Sequence, residues 1–206
     1  INKSGFDTVV PDIAFEHDLK YDEALNIIRN LQAKADENNL KFGVKLTNTL
    51  ESLNNKEIFS EDQKMMYMSG RALHPISINL AAKLQSTFNG NLDISFSGGV
   101  DAFNVADVVS CGLVPVTVCT DLLKPGGYGR LHQYIEELTK DEYLIKYRSD
   151  NLKNLQNYVE GLSENNSYQK VDIKDISIKT DRKLGKFDCI AAPCIDTCPT
   201  NQGIPD

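Results

Sequence analysis

The sequence lacks a long hydrophobic run and an excess of basic residues. No apolar segment approaches the roughly 20 residues that a membrane-spanning helix needs, and the first residues show no charged segment followed by an apolar one. The formal net charge is -7 at pH 7, with lysines and arginines spread along the chain, which argues against nucleic acid or an anionic membrane as a partner. We therefore expect a cytoplasmic protein.

The chain also lacks a regular framework of cysteines. It has 5, an odd number, which is a poor basis for disulfides. Cys189, Cys194 and Cys198 have the spacing C-x4-C-x3-C followed by proline, which recurs in [4Fe–4S] ligation because one short loop must wrap the cluster. A cluster usually takes four ligands, so the set is incomplete in this chain, and structural zinc is the rival interpretation.

Short apolar runs alternate with amphipathic helical patterns four times. The runs lie at residues 6–11, 41–46, 92–96 and 113–118. This alternation predicts an α/β fold with a parallel sheet, either closed as a barrel or open and doubly wound. Four units are half of an eight-unit barrel. A polar loop of about twenty residues is expected between the second run and the helix that Pro75 opens.

Composition and pattern divide the chain into three parts. Residues 1–140 form the predicted partial barrel, 141–185 a helical or extended connector, and 186–206 the start of a cysteine-rich iron–sulfur segment. The first residue is isoleucine rather than methionine, and we expect the chain to be a fragment of a longer protein. Because half a barrel exposes two sheet edges, we also expect this fragment to form a homodimer.

The clearest candidate binding residues follow the third and fourth predicted strands. Ser97, Gly98 and Gly99 lie between a strand and a predicted helix that Asp101 would cap. Backbone N–H groups at such a helix N-terminus can bind a phosphate, although a tight turn would need the same glycines. Cys119-Thr120 follows the next strand, so both turns would converge where barrels often bind phosphate.

Other strand ends carry weaker signals. Asn48, within Thr47-Asn48-Thr49, could read the edge of a heterocycle with one donor and one acceptor, or serve as a turn residue. Lys45 could point toward the barrel axis or lie on the surface. The segments SGR at 69–71 and KPGGY at 124–128 could supply anion contacts or only punctuate loops. We assign no role to the three histidines.

Several of these motifs together resemble a known family. FGVKLTNT at 42–49, YMSGR at 67–71, SFSGG at 95–99 and LKPGGY at 123–128 resemble the selenate reductase flavoprotein-like subunits. More distantly they are similar to the barrels of dihydropyrimidine and dihydroorotate dehydrogenases. Residues 189–205 resemble the start of the cluster segment of dihydropyrimidine dehydrogenase and of the glutamate synthase small subunit.

The resemblance implies the C-terminal half of a TIM-type (β/α)8 barrel with a C-terminal extension. It also implies FMN and a [4Fe–4S] cluster, with Asn48 facing a small-molecule substrate. The cofactor-binding residues that the resemblance implies are Ser97, Gly98, Gly99, Cys119 and Thr120 for FMN, and Cys189, Cys194 and Cys198 for the cluster. Lys45 is added as a candidate cofactor-binding residue only because its alternation with Val44 could point it toward the barrel axis, near a flavin. The sequence departs from the family at Cys119, where the dehydrogenases have glycine, and at Lys186, where the cluster segment has its first cysteine.

The expected function is that of a fragment of a multidomain flavin and iron–sulfur oxidoreductase, inactive by itself. Its expected partners are the remaining domains of the parent protein or other redox subunits. One alternative is a non-catalytic barrel scaffold for domain or subunit assembly. A lyase or isomerase acting on a phosphate-bearing ligand is a third hypothesis, against which the cysteine triplet argues.

Overall fold

The computed structural model describes residues 2, 5–47, 49–55, 62–140 and 150–169. Asn48 and the three C-terminal cysteines lie outside these residues, so the predictions made for them stay predictions. The same is true of 141–149 and 170–185 in the predicted connector and of the whole segment 186–206.

The described residues form five α-helices and five strands. The helices are α1 (Tyr21–Glu37), α2 (His74–Thr87), α3 (Val105–Ser110), α4 (Leu131–Leu138) and α5 (Asn151–Leu162). The strands are β1 (Gly43–Leu46), β2 (Leu50–Leu53), β3 (Met65–Met68), β4 (Asp93–Ser97) and β5 (Leu113–Thr117). Within the described part of the chain, none of these helices has both the length and the apolar character to cross a membrane.

A parallel sheet of three strands, in the order β1-β4-β5, forms the centre of the fold. Val44 lies opposite Ile94 in the first pair, and Phe96 lies opposite Val116 in the second. Helices α2 and α3 connect successive strands, as the alternating pattern predicted. The mixed α/β arrangement with a parallel sheet is that of part of a (β/α) barrel.

The two faces of this sheet differ in character because side chains alternate along each strand. Ile94, Phe96 and Leu113 are fully buried under the helices. On the opposite face, Lys45 is exposed and Ser95 is half-buried. In a closed barrel this second face is the interior.

Helices α2 and α5 complete the core on the buried face. The positions Ile78, Ala81 and Leu84 put one side of α2 against the sheet. Helix α5 packs on α2 and α3, with Leu155 and Leu162 buried in the same cluster. The described part of the predicted connector therefore packs tightly onto the barrel core.

Two segments before α2 differ from the sequence prediction. Residues 6–11 form no strand; the carbonyl of Val9 only accepts a hydrogen bond from Leu53 N at 2.8 Å, and a 3₁₀ helix (Asp12–Phe15) follows. The expected polar loop contains an antiparallel pair, with Leu50 of β2 opposite Met68 of β3. The apolar residues of β2 and β3 lie in two short runs that pair with each other. The polar residues between the runs made the segment look like a loop in the sequence.

Helix α3 also begins later than predicted. Its N-cap is Asn104 rather than Asp101. The Asp101 carboxylate instead accepts from Phe103 N at 2.9 Å and pairs with Arg71. Five residues, 100–104, therefore separate the helix from the preceding strand-end glycines.

Candidate functional site

A cavity of about 510 Å³ opens at the carboxyl ends of β1, β4 and β5. This is the end of a parallel α/β sheet at which ligands bind. Its size lies within the range of small-molecule sites. The cavity is lined by Thr47, Thr49, Ser69, Gly70, Leu73, Ser97, Gly98, Gly99, Val100, Thr117, Val118, Cys119, Thr120 and Leu123.

The structure brings the two predicted phosphate-binding turns together in this cavity. Ser97, Gly98 and Gly99 line it from β4, while Cys119 and Thr120 line it from β5. Lys45 does not line it and is exposed on the open face of β1. The threonines on either side of the undescribed Asn48 do line it.

The lining offers hydrogen-bond donors without charge. Among the described residues, the lining contains no Asp, Glu, His, Lys or Arg; Cys119 is an exposed free thiol. Six hydroxyls face it, together with backbone groups of the turns; they belong to Thr47, Thr49, Ser69, Ser97, Thr117 and Thr120. Such a set suits a phosphate or a polar ring held by hydrogen bonds rather than by ion pairing.

Packing by itself accounts for the two adjacent glycines. Gly98 has φ +136°, and a Cβ atom there would lie 2.6 Å from Ser77 Oγ. Gly99 has φ +66°, and a Cβ atom there would overlap the backbone carbonyl of Gly70. Glycine is therefore needed at both positions for the chain to fold this way, whether or not a ligand binds.

The dipole of helix α3 contributes little to this turn, although the sequence predicts that the turn lies at a helix N-terminus. Helix α3 begins at Val105 and has only 6 residues. The macrodipole effect falls off within the first turn of a helix. Any anion held at Gly98 and Gly99 is thus bound by local backbone N–H groups and hydroxyls.

Sequence reasoning missed a buried histidine beside the glycines. His74, at the start of α2, is 0% exposed. Its Nδ1 lies 2.8 Å from the Gly98 carbonyl oxygen, and its Nε2 lies 2.9 Å from the Tyr158 hydroxyl. Burial lowers the pKa of His74, and the hydrogen bond to Gly98 offsets this only in part. The only sequence signal was a histidine directly before Pro75, which opens the predicted helix.

Asn104 and Tyr168 continue the same set of contacts. Asn104 Nδ2 donates to the Gly99 carbonyl and to the Tyr168 hydroxyl, both at 3.0 Å. The Tyr168 hydroxyl lies 2.9 Å from that of Tyr158, and its ring stacks on His74 with centroids 5.1 Å apart. We call His74, Asn104, Tyr158 and Tyr168 the neutral network.

An ionic cluster anchors the loop that follows β5. Asp121 is 4% exposed and accepts from Arg130 Nε and Nη2, each at 3.1 Å. Tyr134 donates to the same carboxylate at 2.7 Å, and Lys124 lies 3.3 Å from it. Burial raises the pKa of Asp121, but these hydrogen bonds outweigh that effect and lower it overall. We call Asp121, Lys124, Arg130 and Tyr134 the ionic cluster.

The two segments that could supply anion contacts or serve only as loop residues are used differently. Ser69 and Gly70 line the cavity, whereas the Arg71 guanidinium pairs with Asp101. Lys124 pairs with Asp121 and does not line the cavity. Within the described ranges, no group of three or more histidine, cysteine or acidic side chains could hold a metal ion.

Comparison with known proteins gives the family. The family described as "Oxidoreductase YgfK, N-terminal TIM-barrel domain" matches residues 1–170. Two curated relatives, from Escherichia coli (strain K12) and Escherichia coli O157:H7, each bear the name "Putative oxidoreductase YgfK". Both are 41% identical over 193 residues, which is 94% of this chain but 18% of each relative. No solved structure matches the chain significantly.

The family match and the structure agree on the architecture. The matched region begins at residue 1 and includes β1, β4, β5 and α5, so it takes in the parallel sheet, the cavity and both sets of supporting residues. Its TIM-barrel description agrees with the fold expected from the alternating strands and helices. The chain therefore belongs to the family of YgfK-type oxidoreductase N-terminal TIM-barrel domains.

Proposed function

We propose that the chain forms the phosphate-binding part of an FMN site in a larger oxidoreductase that relays electrons through an iron–sulfur cluster. The observation that carries this proposal is the convergence of the Gly98–Gly99 turn and the Cys119–Thr120 turn on one cavity. The resemblance to flavin barrels assigns FMN phosphate to these same turns. Membership of an oxidoreductase family agrees with redox chemistry.

Hydroxyls and backbone groups would hold the ligand. Ser97 and Thr120, with the backbone N–H groups of the glycine turn, would donate hydrogen bonds to the phosphate. The flavin, when bound, would supply hydride or electron transfer. Asn48 lies in sequence between two cavity-lining threonines and would face the small-molecule substrate.

The proposal also includes an iron–sulfur cluster, which the C-terminal cysteines would bind. Cys189, Cys194 and Cys198 would contribute three thiolates, and the remaining ligand would come from another part of the protein or from a partner subunit. Electrons would then pass between the flavin and other redox domains. The curated relatives are several times longer than this chain, which leaves room for such domains.

The first test is the cofactor content of the full-length protein purified without oxygen. We expect flavin absorbance, FMN after extraction, and iron in stoichiometric amount. Iron without any flavin would reject the FMN site, whereas flavin without iron would reject the cluster. Reduction of selenate by the same preparation tests the narrower activity that the resemblance names.

A substitution tests the site itself. Thr120→Val removes a cavity hydroxyl while keeping the shape of the side chain, and should weaken FMN binding roughly tenfold without changing riboflavin binding. The matched control is Thr139→Val, whose hydroxyl caps the exposed end of α4. Equal loss of FMN and riboflavin binding in Thr120→Val would contradict a phosphate role.

A non-catalytic scaffold is the second candidate function. Two observations favour it: packing explains Gly98 and Gly99 without a ligand, and the described lining has no basic side chain to pair with a phosphate. In that case the full-length protein would contain iron and assemble normally but would never bind flavin. The cofactor measurement therefore separates the two candidates.

A further inference from the structure

The hydrogen atoms of the neutral network can be assigned from chemistry. The lowered pKa leaves His74 neutral at pH 7, so its ring carries one N–H. A carbonyl oxygen only accepts, so Nδ1–H donates to Gly98 and Nε2 must accept from Tyr158. The Tyr158 oxygen is then free to accept from the Tyr168 hydroxyl.

The other end of the network returns to the same turn. Asn104 Oδ1 accepts from Asp101 N at 2.9 Å, which fixes the orientation of the amide. Its Nδ2 group then donates one hydrogen to Tyr168 and the other to the carbonyl of Gly99. Among the described residues, no buried side-chain nitrogen or oxygen lacks a partner. The assignment uses every donor once.

Two consecutive carbonyls are therefore held by one connected set of side chains. In a trans peptide the N–H points opposite to the preceding carbonyl. Holding the Gly98 carbonyl fixes the N–H of Gly99, and holding the Gly99 carbonyl fixes the N–H of Val100. Gly98, Gly99 and Val100 line the cavity, whereas the four side chains of the neutral network do not.

We propose that His74 is a positioning residue for the anion site, holding the Gly98–Gly99 peptide so that its N–H donates to the phosphate of the ligand. This proposal rests on the proposed FMN site. It also gives residues 150–169 a part in binding, because Tyr158 and Tyr168 hold His74 in its ring position. His74 itself touches no ligand.

The test compares FMN with riboflavin, which lacks the phosphate. Affinities for both are measured with flavin-free full-length protein, and the ratio isolates the phosphate contribution. In wild type we expect FMN to bind at least tenfold more tightly. His74→Leu removes both ring nitrogens and should cut that ratio roughly tenfold while riboflavin affinity stays within about twofold.

Two further variants separate positioning from general stability. His74→Asn keeps an N–H close to the position of Nδ1 and should retain more of the ratio than His74→Leu. Tyr158→Phe is milder and should lower the ratio about threefold, since the His74 ring loses one of its two hydrogen bonds. The control, Leu155→Ala, empties space in the core of α5 and should lower stability without changing the ratio.

Each outcome has a distinct meaning. A wild-type ratio near one would overturn both the phosphate site and the role of His74. A wild-type preference for FMN that persists in both His74→Leu and Tyr158→Phe would overturn only the role of His74. If His74→Leu does not fold, the Tyr158→Phe ratio decides, with unchanged selectivity counting against the proposal.

Discussion

Two turns line the same cavity but are supported by opposite kinds of chemistry. The turn after β4, residues 97–104, is held by the neutral network, which donates to the carbonyls of Gly98 and Gly99. The loop after β5, residues 118–130, is held by the ionic cluster around Asp121. Neither set of supporting side chains lines the cavity.

The difference between neutral and ionic support follows from how deeply the supporting side chains are buried. His74 is 0% exposed, and the loss of hydration that an ion would suffer there outweighs the favourable charge of Asp101. Asp121 is also buried, but Arg130 and Lys124 reach it from the surface, with side chains 20% and 47% exposed. A neutral network can lie in the core, while an ionic cluster needs contact with solvent on one side. The two turns should therefore respond differently to substitution and to pH.

The largest expected effect comes from filling the space at Gly99. Gly99→Ala forces φ +66° on an L residue and places a methyl group against Gly70, which we expect to cost roughly 3 to 4 kcal/mol of local stability. Hydrogen exchange of amides in residues 97–104 of the full-length protein measures it. Gly129→Ala, in the β5 loop, meets no described atom within 4 Å and is the control. Equal losses of local stability in Gly99→Ala and Gly129→Ala would show that the two turns do not differ in packing.

Neutralising Asp121 is the second largest change. Asp121→Asn leaves Arg130 without its carboxylate, and we expect a loss of about 3 kcal/mol in the opening free energy of residues 118–130. The control is Glu37→Gln, which breaks an exposed pair with Lys34 and should cost less than about 0.5 kcal/mol. If Asp121→Asn increased hydrogen exchange in residues 97–104 as much as in residues 118–130, the ionic cluster would support both turns.

A pair of tyrosine variants compares the two kinds of support directly. Tyr134→Phe removes a donor to a carboxylate, which should cost about 2 kcal/mol in the β5 loop. Tyr158→Phe removes a donor to a neutral ring nitrogen, for which about 1 kcal/mol is expected in residues 97–104. Exchange in the two peptides gives both values, and Tyr128→Phe, 81% exposed, serves as the control. A larger loss for Tyr158→Phe than for Tyr134→Phe would contradict the assignment of an ionic support to the β5 loop and a neutral support to residues 97–104.

Local pattern was enough to predict the parallel sheet and the convergence of its turns. Short apolar runs between helical patterns predicted β4 and β5, and the geometry of parallel sheets then placed Gly98 and Thr120 together. The same local signals failed for residues 6–11, whose β-branched residues find no strand partner in the described structure, and for β2 and β3, which are separated by polar residues. The pattern of a few neighbouring residues does not show whether a segment pairs with another one far away in the sequence.

The supporting side chains could not be predicted for the same reason. His74 looks like any polar residue at a helix start until Tyr158, 84 positions later in the chain, is packed against it. The start of α3 was misplaced because Asp101, a good capping residue, is drawn to Arg71 instead. Tertiary contacts outweigh local propensity at both positions.

The smallest predicted effect is a difference between the two turns in how their stability depends on pH. Because the folded-state pKa of His74 is lowered, its neutral form contributes stability above about pH 6.5, and that contribution falls as the pH drops toward the lowered value. The slope is at most about 1.4 kcal/mol per pH unit. Asp121, whose pKa is also lowered, loses its contribution only below about pH 3.8.

Between pH 7 and 5, residues 97–104 should therefore lose protection while residues 118–130 keep theirs. Of the charged groups near His74, Asp101 favours its protonation and Arg71 opposes it, and burial raises the pKa of Tyr158 and Tyr168, so neither tyrosine titrates in this range. Hydrogen exchange corrected for the intrinsic pH dependence measures both peptides. His74→Asn should flatten the response, and His132→Gln, on the exposed side of α4, should leave it unchanged. A pH response that survives His74→Asn would place the titrating group elsewhere and remove the distinction between a neutral and an ionic support.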